Sequence, residues 1–243
     1  MEIWGITDKG AVRKQNQDAY QAGCIGSDGL GFAVVCDGMG GALAGNVASS
    51  MALDRFWEEV AEQCAAGLPD SPEEVLRGAL DAANEAVYHR SCQDPSCQGM
   101  GTTLVAALTD GRRAWVLNVG DSRCYQADQD SIRQISQDHS LVELLVSRGE
   151  ITPEQARTHP RKNLITRALG VERRITPDVF TIDCPAESYL LLCSDGLSNQ
   201  VTSQEILYEI IHNGPPDTCC KRLLEIALKR DAPDNVTAVL LRL

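Results

Sequence analysis

Aromatic residues make up only 5% of this 243-residue chain, and 34 acidic residues outnumber its 22 Lys and Arg residues. The resulting net charge of −12 argues against nucleic acid or an anionic membrane surface as a partner. No window approaches 18 apolar residues, and the N-terminus lacks the basic segment and apolar core of a signal peptide. We therefore expect neither a membrane span nor export by a signal peptide.

The chain also has no C-x-x-C pair and no linker rich in Ser, Gly or Pro. Without such pairs a zinc site is not expected. Of the ten cysteines, Cys36, Cys124 and Cys193 lie in or beside apolar runs, where cysteine acts as a small hydrophobe. We expect a reduced cytoplasmic protein, with residues 1–243 forming a single domain.

Several short apolar runs end in a carboxylate. Residues 31–36 lead into Asp37-Gly38, residues 189–194 into Asp195-Gly196, and residues 114–120 into Asp121. One Asp-Gly step alone is typical of an ordinary sharp turn, and we assign that role to Asp110-Gly111 in a predicted hairpin. The recurrence of the pattern, with Asp234 beside the last predicted strand, instead indicates one shared cation site.

The predicted elements follow the order strand, two helices, several strands, two helices, strand. Because strands and helices do not alternate, we expect an α+β fold: two antiparallel sheets face to face, flanked by helix pairs in a four-layer α-β-β-α sandwich. The second helix is predicted to start with a capping box at Ser71, Pro72 and Glu74. A long insertion, residues 138–170, has the size of a lid or binding loop, and Ser140 and Thr152 are predicted to cap its short helices.

Converging carboxylates repel one another unless they take up protons or bind cations. An oxygen-only ligand set favours Mg²⁺ or Mn²⁺, and two such ions generate a hydroxide and clamp a displacement at phosphorus. The planar guanidinium of Arg13 can donate two parallel hydrogen bonds to phosphate oxygens. Arg13 lies five residues before Asp18, in a loop that can reach the Asp37 site. A glycosidase with paired carboxylates is the competing interpretation. Glycosidases do not need this arginine, and they usually bind sugars against aromatic side chains, which make up only 5% of this chain.

Six ordered motifs together resemble the metal-dependent serine/threonine phosphatases of type 2C, the PPM family, in its compact bacterial form. They are V-R-x-x-N-x-D at 12–18, V-V-C-D-G-M-G-G at 34–41, G-M-G-T-T at 99–103, V-G-D-S-R at 119–123, C-S-D-G-L at 193–197 and D-N-V-T at 234–237. The motifs cover essentially the whole chain. The resemblance implies the same sandwich fold and identifies residues 138–170 with the flap of that family.

The resemblance also implies roles for individual residues. It places Asp37 between two Mn²⁺ or Mg²⁺ ions, the carbonyl of Gly38 on one ion, and Asp195 with Asp234 on the other. It assigns a third metal to Asp121 with Asp195 and the substrate phosphate to Arg13. It implies that Asp18 holds a metal-bound water from behind the ligands, where Asn235 also lies. The implied reaction is hydrolysis of phosphoserine and phosphothreonine by a metal-bridging hydroxide. Expected partners are phosphorylated proteins, substrates of a serine/threonine kinase in signal transduction, and the expected state is a monomer.

Two positions depart from the family pattern. Gln17 stands where many members have Glu, and Met39 stands where animal members carry a histidine proposed as general acid. The proton for the leaving group is then assigned to water at the metals, with His139 and His159 of the flap as alternatives that are otherwise expected to be solvated or capping residues. A non-catalytic phosphoprotein-binding relative and a phosphatase for small metabolites remain alternative functions.

Overall fold

The computed structural model describes residues 1–41, 44–212 and 214–243. Its strands are β1 (Glu2–Asp8), β2 (Asp18–Ile25), β3 (Leu30–Met39), β4 (Gly101–Thr102), β5 (Leu104–Thr109), β6 (Arg113–Val119), β7 (Arg123–Ala127), β8 (Ile132–Gln134), β9 (Asp178–Asp183), β10 (Tyr189–Cys193) and β11 (Val236–Arg242). Its helices are α1 (Ala44–Gln63), α2 (Pro72–Gln93), α3 (Leu141–Ser147), α4 (Pro153–Arg157), α5 (Asp195–Ser198), α6 (Ser203–His212) and α7 (Pro216–Lys229). None of these helices combines the length and apolar composition needed to cross a membrane.

The strands form two sheets. One has the order β1-β11-β10-β7-β8, and the other has the order β2-β3-β5-β6-β9 with β4 paired to β3. The strand pairs of both sheets are antiparallel. The expectation of two antiparallel sheets is therefore confirmed.

Alternation along β3 shows how the layers are built. Phe32 and Val34 pack with α1 and α2, whereas Ala33 and Val35 pack between the two sheets. Because successive side chains of a strand point to opposite faces, one continuous apolar run fills two separate layers of core. Phe32 is fully buried, and its truncation to Ala would cost about 3–5 kcal/mol of unfolding free energy.

Strand β10 repeats this arrangement in the other sheet. Leu191 packs with α6 and α7, and Leu192 packs between the sheets. The order of layers is therefore helices, sheet, sheet, helices, as the sequence predicted. Cys36, Cys124 and Cys193 are fully buried in these layers, which confirms their role as small hydrophobes.

The predicted capping box at the start of α2 is wrong. Ser71 makes no side-chain capping bond, because the Glu74 N–H donates instead to the Ser71 carbonyl at 3.1 Å. The Ser140 cap of α3 and the Thr152 capping box of α4 are confirmed.

We call residues 138–170 the flap. The two ends of this segment are joined close to the sheets, where Ser140 bridges to Ile165 and the Thr166 N–H donates to the His139 carbonyl at 2.7 Å. Helices α3 and α4 contact each other beyond this base.

Candidate active site

Strand β3 carries Asp37 out of the core. Asp37 lies opposite Asp18 of β2 in the antiparallel register. The Thr103 hydroxyl accepts the Asp37 N–H at 3.0 Å, and the Asp37 carbonyl accepts bonds from the Thr103 N–H and the Thr102 hydroxyl, both at 2.9 Å. Both the N–H and the carbonyl of Asp37 are therefore held by Thr102 and Thr103.

Gly38 is required by packing and not by a turn. A Cβ at this position would lie 2.1 Å from the Gly45 carbonyl oxygen and 2.7 Å from that of Gln17. Strand β3 continues through Gly38 to Met39, so no turn directly follows Asp37. The glycine lets the start of α1 approach the strand closely.

Asp195 and Asp234 meet through a second close backbone approach. Asp195 begins α5 directly after β10, and Asp234 lies in the turn that enters β11. A Cβ on Gly196 would lie 1.9 Å from the Asn235 carbonyl oxygen. Only glycine after Asp195 allows these two turns to pack together.

Asn235 ties the N-terminal loop to this turn. Its amide donates to the carbonyls of Lys9 and Gln15, both at 2.9 Å, and its Oδ1 accepts the Gln17 N–H at 2.9 Å. Because the loop between these partners carries Arg13, Asn235 holds the backbone from which this arginine extends. Arg13 donates to Asp234 Oδ2 at 2.7 Å.

Asp18 is buried behind Asp37. Its Oδ2 accepts hydrogen bonds from Ser194 at 2.7 Å and from Thr237 at 2.6 Å. Its Oδ1 is buried with no hydrogen-bond partner. Two hydroxyls thus hold one oxygen and leave the other available.

Asp121 follows β6 and lies at the same site as Asp37, Asp195 and Asp234. The adjacent Gly120 N–H donates to His139 Nδ1 at 3.1 Å, and Ser122 shares a 2.7 Å hydroxyl bond with Thr103. The turn that carries Asp121 is thereby connected both to the flap and to the backbone partner of Asp37.

These elements enclose a cavity of about 540 Å³. Its lining includes the following predicted site residues: Arg13, Asp37, Gly38, Asp121, Asp195 and Asp234. Lys14, Gln17, Met39, Thr103, Asn163 and Ile165 complete much of the wall. Asp110 lies outside this lining. Its Oδ1 accepts the N–H groups of Arg112 and Arg113 and closes the hairpin, as predicted.

The carboxyl groups perturb one another strongly. Burial, and then the neighbouring charges of Asp18 and Asp195, raise the pKa of Asp37 well above its usual range. Burial raises the pKa of Asp18 and of Asp121 to about 7 in each case. Burial and the charge of Asp234 also raise the pKa of Asp195. The positive charge near the cluster, including that of Arg13, therefore does not balance its negative charge.

A hard cation would supply that charge. Asp195 Oδ1, like Asp18 Oδ1, is buried without a hydrogen-bond partner, although Asp195 Oδ2 accepts from Asn199 at 3.1 Å. Among the described residues, no three His, Cys, Asp or Glu side chains gather closely enough to hold a metal ion by themselves. A shell completed by backbone carbonyls and water, as Mg²⁺ prefers, suits this set of oxygens.

The histidines are placed differently from expectation. His139 is buried, which corrects the expectation of a solvated side chain: its Nε2 lies 3.1 Å from Asp178 Oδ2 and 3.1 Å from Arg167. Burial lowers the pKa of His139. His159 accepts the Arg161 N–H at 3.1 Å within the flap. Neither imidazole is among the described residues that line the cavity.

Sequence reasoning assigned no role to three hydroxyl residues that support the carboxylates, namely Thr103, Ser194 and Thr237. All three lie inside the six motifs, and Ser194 and Thr237 lie in motifs that contain an aspartate, which was the available signal. The hydrogen-bond partners that identify their roles are 66, 176 and 219 residues away along the chain.

The sequence is similar to known protein phosphatases. The family model for protein phosphatase 2C matches residues 10–214. The serine/threonine phosphatase Stp of Listeria welshimeri is 40% identical over 201 residues, which cover 82% of this chain and 79% of that protein.

Solved structures show the same similarity in three dimensions. The serine/threonine phosphatase PstP/Ppp of Mycobacterium tuberculosis has a TM-score of 0.90 at 34% identity, over 100% of this chain and 98% of that one. The catalytic domain of PstP in complex with two manganese ions has a TM-score of 0.84 at 33% identity, over 98% of this chain and 96% of that one.

Proposed function

Since this chain belongs to the protein phosphatase 2C family, we propose that it hydrolyses phosphoserine and phosphothreonine in proteins by attack of a metal-bridging hydroxide. Membership confirms the resemblance inferred from the six motifs and makes the chain an enzyme, a phosphoprotein phosphatase of the Mn²⁺- or Mg²⁺-dependent class. One observation carries the proposal: four aspartates from separate strands and turns line one cavity together with Arg13.

Two divalent ions would offset the repulsion among these aspartates. We assign Asp37 to both ions, the Gly38 carbonyl to one, and Asp195 with Asp234 to the other. The raised pKa of Asp37 and the unpartnered Asp195 Oδ1 support the assignment, because both indicate oxygens arranged for a cation. Bound there, the ions would supply the nucleophile and neutralise charge on the phosphate.

A third ion at Asp121 and Asp195 is a further part of the proposal. Burial and the charge of Asp195 raise the pKa of Asp121, and both residues line the cavity. Asp18 and Asn235 are assigned to support. Asp18 presents its unpartnered Oδ1 behind Asp37, and Asn235 holds the loop that carries Arg13.

Arg13 is proposed to bind the substrate phosphate. Its side chain is half exposed at the cavity, and the hydrogen bond to Asp234 raises the pKa of the guanidinium and keeps it charged. A planar guanidinium donates two parallel bonds to phosphate oxygens, which fixes the ester in orientation. Arg13 would thus orient the substrate while Asp37 and Asp195 organise the attacking side.

The domain organisation, location, oligomeric state and substrates of the enzyme are also part of the proposal. We propose that residues 1–243 form one phosphatase domain with the flap at 138–170. We further propose that the enzyme acts as a cytoplasmic monomer on products of a serine/threonine kinase. The names of the similar proteins support phosphoprotein substrates.

A substrate screen tests the proposed function. Phosphate release would be followed with Mn²⁺ on a panel of phosphoserine and phosphothreonine peptides and on a matched panel of small phosphorylated metabolites. We expect kcat/KM for the best peptides to exceed that for the best metabolites at least tenfold. Equal or higher values for metabolites would contradict a protein substrate.

A further inference from the structure

Basic residues are concentrated in one part of this acidic chain. Residues 157–174 contain six of the 22 Lys and Arg residues but only one of the 34 acidic residues, in a chain whose net charge is −12. This basic segment begins within the flap and ends beyond it. A local excess of one sign on an oppositely charged protein concentrates ligands of the complementary charge.

Part of this segment lines an open groove of about 680 Å³. Arg161 and Lys162 lie in its wall, and both are exposed. Neither side chain forms an ion pair with a carboxylate of the described residues, whereas Arg148 and Arg167, on either side in sequence, are paired with Glu150 and Asp178. The two cations are therefore available to a ligand.

The groove lies next to the catalytic cavity. Asn163 lines both of them, and Ile165 lies in the cavity wall two residues farther along. Lys14, also exposed, adds another cation to the cavity wall. A peptide whose phosphorylated residue occupies the cavity can thus extend past Asn163 into the groove that carries Arg161 and Lys162.

We propose that this groove selects phosphoprotein segments that carry further negative charge beside the target residue, either Asp and Glu or a second phosphorylated residue. The inference rests on the proposed function and specifies its substrate class. Single exposed ion pairs contribute little and are screened by salt. Two adjacent unpaired cations next to the site therefore give a modest preference, expressed mainly in KM.

The test uses three phosphothreonine peptides that are identical except for flanking Glu, Gln or Lys residues, and a fourth peptide with a second phosphothreonine. At low salt, about 0.05 M, the wild-type enzyme is expected to favour the Glu peptide over the Gln peptide roughly fivefold in kcat/KM, with the Lys peptide lowest. At about 0.5 M salt the ratio should approach one. In the double variant Arg161→Gln/Lys162→Gln, the ratio of Glu to Gln peptide should fall close to one at low salt.

A matched double variant controls for net charge. Arg173 and Arg174 are exposed in the same basic segment but line neither the groove nor the cavity. Arg173→Gln/Arg174→Gln removes the same charge and should keep the wild-type preference. The second phosphothreonine should behave like flanking Glu if charge alone is recognised, and a larger gain would assign the groove to phosphate.

The outcomes separate this inference from the proposed function. Equal kcat/KM for the Glu and Gln peptides, or an equal loss of preference in both double variants, overturns the inference while Mn²⁺-dependent turnover of the peptides still upholds the phosphatase. Failure to hydrolyse any phosphopeptide or an aryl phosphate would overturn both.

Discussion

The Arg13 guanidinium donates a hydrogen bond to Asp234 Oδ2 at 2.7 Å, although 221 residues separate the two along the chain. The proposed phosphate-binding residue is thus held by a proposed metal ligand. A cation on Asp234 would compete for the same oxygen and leave the guanidinium available for phosphate. In the proposed mechanism, metal binding and substrate binding are therefore connected through this one contact.

The Arg13→Ala variant should lose substrate binding and keep its metal. Hydrogen bonds to charged groups contribute about 1.5–3 kcal/mol, so we expect kcat/KM for a phosphopeptide to fall roughly tenfold to a hundredfold. Calorimetric Mn²⁺ affinity should stay the same or rise, because Asp234 loses its competitor. Arg112→Ala, in the exposed hairpin, is the control of equal charge. Weakened Mn²⁺ binding in Arg13→Ala would instead assign the residue a structural role.

A series of three aspartate variants tests the positions of the ligands. Asp195→Asn should abolish turnover, because this residue is assigned to more than one metal. Asp121→Asn should keep two tightly bound Mn²⁺ ions and slow turnover, and Asp110→Asn should keep wild-type kinetics, because Asp110 only closes a hairpin. Turnover and Mn²⁺ stoichiometry would be measured for all three. Similar losses in Asp195→Asn and Asp110→Asn would contradict the assignment of the site.

The metal-free protein should lose stability as pH rises. The pKa of Asp18 and of Asp121 is raised to about 7 in the fold, against about 3.9 in an unfolded chain. The folded state therefore binds more protons between these values, and its stabilisation is present below about pH 4 and lost as pH rises to about 7. With chelator, urea unfolding should give a lower free energy at pH 8 than at pH 5.

Added Mn²⁺ should raise the stability at pH 8, because an ion that binds only the folded state stabilises it by mass action. The stability of Asp18→Asn should depend less on pH, because this variant lacks one of the two carboxyl groups that bind a proton in the folded state. A metal-free protein that is equally stable or more stable at pH 8 would show that these carboxylates are not crowded as described.

Neither flap histidine should serve as the general acid. His139 accepts the Gly120 N–H on Nδ1 and is buried, and His159 lies outside the cavity lining. The test compares His139→Gln and His159→Gln with wild type on two substrates. One is a phosphoserine peptide, whose alkoxide needs a proton, and the other is an aryl phosphate, whose phenolate leaves more easily. We expect the peptide to aryl phosphate ratio of kcat to stay within about twofold of wild type for His139→Gln and His159→Gln. A selective loss on the peptide would identify that histidine as the acid.

Much of the site could be predicted because its signals are local. Asp37 and Asp195 each end an apolar run, and the glycine that follows each is required by close packing. The Arg13 to Asp234 contact and the burial of His139 could not be predicted, because they depend on segments brought together only by the fold. The Ser71 cap failed for a local reason, since the backbone carbonyl took the N–H that the side chain was expected to bind.

The most direct test of the central claim is the metal dependence of phosphopeptide hydrolysis. Wild-type protein, stripped with a chelator and dialysed, would be assayed on phosphoserine and phosphothreonine peptides while Mn²⁺, Mg²⁺ or Zn²⁺ is added back, with Asp195→Asn in parallel. We predict no turnover without metal, recovery with Mn²⁺ or Mg²⁺, and none in Asp195→Asn. Turnover that survives exhaustive chelation, or that returns only with Zn²⁺, would contradict a two-metal phosphatase built on these aspartates.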